Sequence, residues 1–225
     1  MTATHGVRPD YPRAMPALPP SFLVRLTTDV PQLPDGSLDW STWERLAGVS
    51  AGAGLDAESW PLAVTAGWTV DGLWIGLEIS GKTQPPSAKA KTPEEADSVI
   101  LCIDTRDTKN IRRAGRFCHR FRVAASKKGD TRVSQEFVPR AREDSPMQPN
   151  EAEAISEVTE AGYRVLVSIP AANLTGFAPQ ESPRIGFFAI LIDRELGTVP
   201  MAGDTRLPLE ADPSLWTSLR LVAAD

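Results

Sequence analysis

Apolar and polar residues alternate with a period of two along most of the chain, which is typical of half-buried β-strands. Residues 73–80 show this clearly, because every odd position is Leu or Ile and the even positions are Trp, Gly, Glu and Ser. Similar short runs, separated by Gly, Pro and Asp, lie at residues 21–28, 62–68, 97–104, 116–124, 131–137, 153–158, 163–169, 184–192 and 215–222. Such spacing predicts an all-β fold: an antiparallel β-sandwich, immunoglobulin-like or jelly-roll-like, with one or two short helices.

Local signals add detail to this fold. Ser41 followed by Glu44 matches a capping box, and Gly48 marks a stop, so a short helix is predicted between them. The pair Asp71-Gly72 predicts a tight hairpin turn, because these residue types tolerate positive φ angles. Residues 97–104 are apolar on both parities, which predicts a central strand covered on both faces.

The chain is predicted to form one domain preceded by an arm. Residues 1–20 contain five prolines and little periodic hydrophobicity, which indicates an extended proline-rich arm. Residues 21–225 show no repeat and no internal linker, so they are predicted to form a single domain. The longest strongly apolar run, residues 185–192, is far shorter than the roughly 18–20 residues that cross a bilayer. A transmembrane protein is therefore excluded.

The N-terminus and the cysteines bear on the compartment. No basic region leads into an apolar stretch near residue 1, so we expect a cytoplasmic protein, with export left open. The two cysteines, Cys102 and Cys118, fall on neighbouring predicted strands of one hairpin. Reduced and buried thiols are the expected state without a secretory leader, although the sequence leaves open whether the two are paired.

Positive charge is concentrated in one segment of an acidic chain. The net charge is −5, yet residues 104–128 contain nine Lys or Arg against two Asp. In the strand at 116–124, Arg116, Arg120 and Arg122 share one face, and guanidinium groups pair well with carboxylate, sulfate or phosphate. The alternative is a solvated hairpin rim that acids such as Glu78 neutralise. Nucleic acid is not an expected partner, since the domain is acidic and carries no recognised binding motif.

Several acids and one tryptophan are further candidates. Asp104 ends a predicted strand and Asp107 follows it; both offer the hard oxygen ligands of calcium, so a structural calcium is left open there. Of the six tryptophans, Trp60 lies in a loop-like stretch where its ring could stack on a sugar, whereas the others lie in patterned elements and are expected to pack in the core. No nucleophile–base pattern, phosphate loop or zinc spacing is present, so we do not expect an enzyme.

The order of the longer motifs resembles that of the family 9 carbohydrate-binding modules and of the wider DOMON-like group of β-sandwiches. The motifs span residues 33–222 and read LPDGSLDWSTW, EADSVILCIDTR, GRFCHRFRV, GYRVLVSIPAANL, RIGFFAILIDRE and DPSLWTSLRLV. This resemblance implies a sandwich of two antiparallel sheets. It also implies a non-catalytic module that binds sugars, typically at chain ends, sometimes with structural calcium.

Position by position, most of the sugar-binding residues that the resemblance implies are replaced. Glu94 and Glu210 stand where the family has its two clamp tryptophans, and Ile100 stands where it often has a glutamate. Arg122 keeps the arginine of the FRV strand, although the polar residue two positions on is Ala124. We therefore predict a saccharide-binding module whose ligand is anionic, with Arg122, Arg120, Arg116 and Trp60 as its binding residues.

Two other classes of function remain as alternatives. Some DOMON-like domains carry haem b between His and Met, so His119 with Met147 or Met201 would form a haem-carrying electron-transfer module. A satisfied core histidine is the ordinary explanation of His119, and haem is not the expected cofactor. The third class is a structural or protein-interaction domain without a small ligand, its outer face covered by the arm or by a second copy.

Overall fold

Twelve strands in two sheets make up the part of the chain that the computed structural model describes, residues 27–49, 60–87, 96–126, 131–203 and 205–223. The predicted arm at residues 1–20 lies outside these residues. The strands are Thr27–Pro31 (β1), Ala47–Gly48 (β2), Leu62–Thr69 (β3), Gly72–Ser80 (β4), Ser98–Asp104 (β5), Cys118–Ala124 (β6), Arg132–Glu136 (β7), Glu153–Val158 (β8), Gly162–Pro170 (β9), Arg184–Asp193 (β10), Gly197–Pro200 (β11) and Thr217–Val222 (β12). The helices are Trp40–Trp43 (α1) and two 3-10 turns, Ala171–Asn173 and Pro213–Leu215.

The two sheets form the predicted β-sandwich. The first sheet has the order β1-β12-β10-β5-β6-β7, with β11 also paired to β10, and the second has the order β2-β3-β4-β9-β8. Neighbouring strands are antiparallel except β1 and β12, which run parallel in register from Thr27 with Ser218 to Pro31 with Val222. The short strands β2 and β11 were not expected from the sequence, because two and four residues are too few to show a period of two.

The main core lies between the sheets and follows the alternation seen in the sequence. In β4 the odd-numbered residues 73–79 are fully buried. Strand β5 is buried at every residue, since β10 and β6 flank it within the sheet and both of its faces are covered. The prediction of a central strand is therefore confirmed. No helix among the described residues is both long enough and apolar enough to cross a membrane.

A second, smaller cluster covers the outer face of the second sheet. Leu33, Trp74 and Leu166 are buried there, and half-buried side chains from residues 38–46 pack on them. The guanidinium of Arg164 lies 4.3 Å from the ring centroid of Trp40, which is a cation–π distance. The segment that carries α1 thus covers this face with apolar and stacked side chains.

Two local predictions were wrong in detail. Helix α1 is capped by Asp39, whose carboxylate accepts hydrogen bonds from the amides of Ser41 and Thr42, so the N-cap lies two residues before the predicted one. Val70 and Asp71 form the turn between β3 and β4, and Gly72 is already paired in β4. Gly72 is needed for another reason: a Cβ there would lie 2.5 Å from the carbonyl oxygen of Ile169 on β9.

Candidate functional site

Arg120 and Arg122 lie on the outer face of the first sheet, as the alternation in β6 predicted. Arg120 pairs across the strands with Cys102 of β5 and with Glu136 of β7. Only about 8% of Arg120 and 7% of Arg122 is exposed. The arginines therefore lie under other groups, and what pairs with them decides the charge of the site.

Two glutamates pair with these arginines. The Nε and Nη2 atoms of Arg120 donate to one carboxylate oxygen of Glu210 at 2.9 and 2.7 Å, and its Nη1 contacts Glu136. Arg122 donates from Nε to Glu136 at 2.7 Å and from Nη1 to the hydroxyl of Ser98 at 3.1 Å. The four ionised groups balance, so this pair of arginines presents no excess positive charge.

The segment between β11 and β12 covers the outer face and creates a cavity beside Glu210. Trp216 anchors this segment, since its ring is buried and its Nε1 donates to the carbonyl of Leu209 at 2.7 Å. The cavity, here called the outer-face cavity, has a volume of about 340 Å³. Its lining comprises Pro139, Arg140, Ile190, Thr198, Pro200, Thr205, Leu207, Pro208, Leu209, Glu210 and Ala211.

The other two predicted ligand-binding residues lie apart from the arginine pair. Arg116 precedes β6 and is exposed; its guanidinium lies 4.9 Å from the ring centroid of Phe117, and that of Arg106 lies at the same distance. Trp60 is half-buried, and its Nε1 donates to the carbonyl of Pro200 at 3.0 Å. Trp60 thus contacts β11 at Pro200, which lines the outer-face cavity. Its indole N–H is bonded to the protein.

Asp104 and Asp107, the predicted calcium ligands, are bonded to protein groups. Asp104 accepts from the amides of Arg106 and Thr108 at 2.9 and 2.7 Å, and burial raises the pKa of its carboxyl. Asp107 accepts from the hydroxyl of Ser218 and lies 2.7 Å from the ammonium of Lys109. Among the described residues, no group of three or more His, Cys, Asp or Glu is placed to hold a metal ion. The calcium site stays a prediction.

His119 is a buried core residue. Its Nε2 lies 3.5 Å from the carbonyl oxygen of Thr175, and burial lowers the pKa of its ring from 6.5 to about 4. Met147 is about half exposed, whereas the Sδ of the buried Met201 accepts a hydrogen bond from the amide of Ala189. The haem hypothesis therefore gains no support from these three side chains.

The cysteines are free thiols in the interior. Cys102 and Cys118 are both buried and unpaired with each other, as expected for reduced thiols. Burial raises the pKa of the Cys118 thiol to about 12 and that of Cys102 further still. Thiols this far from ionisation are poor nucleophiles and metal ligands, which is consistent with a packing role.

Four charged residues form a cluster at one end of the sandwich that the sequence did not predict: Lys82, Asp97, Asp193 and Arg194. The ammonium of Lys82 lies 2.5 Å from Asp193 and 3.7 Å from Asp97, with all three side chains buried. Arg194 also binds Asp97, at 3.1 Å from its Nε. Burial opposes ionisation of Asp97, yet its hydrogen bonds from Arg194 and Ser87 hold the pKa of its carboxyl below the ordinary value. This cluster joins the segments after β4, before β5 and after β10.

Solved structures of other proteins share this architecture. No protein-family model matches the sequence, and none of the curated proteins matches it either. Among solved structures, the chain is similar to a family 9 carbohydrate-binding module from Caldicellulosiruptor kristjanssonii in complex with cellotriose, with a TM-score of 0.62 at 16% identity over 89% of this chain and 95% of that one. The same kind of module in complex with glucose gives a TM-score of 0.58, again at 16% identity, over 89% and 97%.

At this identity the likeness establishes the fold alone. It confirms the predicted resemblance of the fold to family 9 modules across most of the chain. What those modules bind is a property of those proteins. The case for a ligand in this chain has to come from its own residues.

Proposed function

We propose that this protein is a non-catalytic module that binds a saccharide in the outer-face cavity. The observation that carries the proposal is the cavity itself, formed on the sheet face where Arg120 and Glu210 meet. Its volume of about 340 Å³ falls within the range of small-molecule sites, about 300–1,000 Å³. The sandwich fold, shared with sugar-binding modules, supports the same conclusion by analogy.

The lining offers the two kinds of contact that a sugar makes: apolar contact to its C–H groups and hydrogen bonds to its hydroxyls. The side chains of Ile190, Leu207 and Leu209, together with the proline rings, offer apolar contact to C–H groups. Thr198 and Thr205 provide hydroxyls, and Glu210 provides a carboxylate, as hydrogen-bonding partners for sugar hydroxyls. Because Arg120 fixes the Glu210 carboxylate before any ligand arrives, less ordering is needed on binding.

An anionic saccharide held by Arg120 and Arg122 is the finer form of this proposal. Both guanidinium groups are already paired with carboxylates, so they offset charge within the protein. An acidic ligand would have to displace Glu210 from Arg120 or find positive charge elsewhere on the cavity wall. A neutral ligand needs neither.

Filling the cavity tests the proposal. Wild-type protein is applied to an array of neutral, uronic-acid and sulfated oligosaccharides, and the best ligand is then titrated calorimetrically. Ala211→Trp places a bulky ring in the cavity wall and is expected to abolish binding, whereas Ala63→Trp, at an exposed position of β3, should leave binding unchanged. Absence of binding to every oligosaccharide, or equal binding by both variants, would contradict the proposal.

A further inference from the structure

We propose that Arg140 determines the ligand class of the outer-face cavity by binding a carboxylate on the saccharide. This inference rests on the proposed function, and it goes beyond that function in naming a uronic acid and the residue that recognises it. Arg140 is one of the cavity-lining residues and was not among the sequence candidates.

The first observation is that Arg140 is available. Its side chain is exposed, and within the described part of the chain no hydrogen bond or ion pair involves its guanidinium. Arg120 and Arg122, by contrast, are buried beneath Glu136 and Glu210. A guanidinium exposed at a cavity wall can bind a carboxylate through two parallel hydrogen bonds without first breaking a protein ion pair.

The second observation is the backbone of Arg140. Its φ is +57°, a left-handed conformation that is uncommon for a residue with a β-carbon. The conformation is held in place: Arg113 donates from Nε to the carbonyl of Arg140 at 3.1 Å, and the amide of Arg142 donates to the carbonyl of Ala114 at 2.8 Å. Strained residues persist where the surroundings fix them, often at ligand sites. Here the constraint fixes an arginine at the cavity wall.

The third observation is the charge of the site. Arg140 and Glu210 are the charged residues of the cavity lining, and Glu210 is already paired with Arg120, so Arg140 is the lining charge left for a ligand to neutralise. A negatively charged group on the ligand is the match for this guanidinium. A hexuronic acid has one carboxylate on an otherwise neutral ring, so it satisfies the charge with Arg140 and the remaining polar lining with its hydroxyls.

The experiment compares matched sugars that differ by one group. Methyl glycosides of glucose, galactose and mannose and of the corresponding hexuronates are titrated into wild-type protein. At least one hexuronate should bind about tenfold more tightly than its parent hexose, with an advantage that falls as salt rises. Arg140→Asn removes the charge, and Asn tolerates a positive φ, so the variant should lose this advantage, measured as the ratio of hexuronate to hexose affinity.

Arg142→Asn is the matched control, because Arg142 is exposed in the same loop but is absent from the cavity lining. It should keep the wild-type preference, and thermal melting should show that both variants are folded. Equal binding of hexose and hexuronate to wild type would overturn the inference while saccharide binding stands. A preference for hexuronate that survives Arg140→Asn would overturn the role of Arg140. Binding of neither sugar class would overturn this inference and the proposed function together.

Discussion

Glu136 and Glu210 offset the positive charge of Arg120 and Arg122 on the outer face. The sequence concentrates arginine in β6, and taken alone that strand predicts a positive surface. The fold brings a glutamate from β7 and another from the segment before β12 onto the same guanidinium groups. At the scale of the residue, the charge of the site is therefore set by arginine–glutamate ion pairs whose members lie 14 and 90 positions apart in the sequence.

Glu136→Gln is expected to destabilise the fold. Glu136 contacts both buried arginines, and its removal leaves their charges under-compensated away from water. We expect a loss of about 2 kcal/mol in the free energy of unfolding, below the full cost for a buried pair since Glu136 is about a quarter exposed. Urea unfolding measures it, with Asp29→Asn as control, because the Asp29–Arg220 pair is exposed and should matter little. Equal effects of the two substitutions would refute the interpretation.

His119 should make stability depend on pH. Burial lowers the pKa of its ring from 6.5 to about 4. Between these pH values the ring is protonated in the unfolded chain and neutral in the folded chain. Stability is thus unaffected by His119 above pH 6.5 and is lost progressively between pH 6.5 and 4, by about 3 kcal/mol. Unfolding curves at pH 7 and pH 4.5 for wild type and His119→Gln should show the smaller pH-dependent loss in the variant. Parallel losses would show that the ring does not titrate in this way.

At the scale of the element, glycine marks places where strands approach closely. Strand β9 begins at Gly162, where a Cβ would lie 2.0 Å from the carbonyl oxygen of Ile79 on β4. Gly72, at the start of β4, meets β9 in the same way. The two glycines stand at opposite ends of one strand pair, so its register depends on both.

Gly162→Ala is expected to cost about 1–3 kcal/mol of stability, because the new methyl group meets backbone that cannot rotate away. Gly48→Ala in β2 is the matched control, since nothing lies within 4 Å of a Cβ there. Thermal unfolding of both variants checks the prediction. A small and equal change in the two melting temperatures would mean that the strands separate without strain.

The elements were predictable where the period of two extends over six or more residues, as in β4, or where a continuous apolar run marks a strand covered on both faces, as in β5. The first strand was predicted at residues 21–28; residues 21–26 lie outside the described part of the chain, and the strand continues to Pro31. The two-residue β2 left no pattern to read. The arginine face of β6 followed from parity. Its partners did not, because the register of β7 and the path of the segment that carries Glu210 depend on tertiary contacts. Arg140 belongs to the same group, since only the fold reveals the cavity that it lines.

At the scale of the whole molecule, Lys82 links the two sheets. It follows β4 of the second sheet and binds Asp193 and Asp97, which end β10 and precede β5 of the first sheet. Glu195 lies 3.8 Å from the same ammonium and accepts hydrogen bonds from Thr83 and Gln84. Ionic contacts thus join the two sheets at one end of the sandwich.

Lys82→Met is expected to destabilise the protein by about 3 kcal/mol or more, because two buried carboxylates lose their shared cation. Adding Asp193→Asn should recover part of the loss, since it removes one of the uncompensated charges. The double-mutant cycle is measured by urea unfolding at pH 7. Strict additivity of the two substitutions would show that Lys82 and Asp193 act independently.

The parallel pairing of β1 with β12 gives the domain a mechanical property. Force applied through the chain before Thr27 and after Val222 pulls these strands in opposite directions along their common axis. All hydrogen bonds of the ladder then bear the load together, whereas an antiparallel hairpin pulled from its open end would separate one bond at a time. A domain tethered at both ends would therefore resist extension at the pair of β1 with β12.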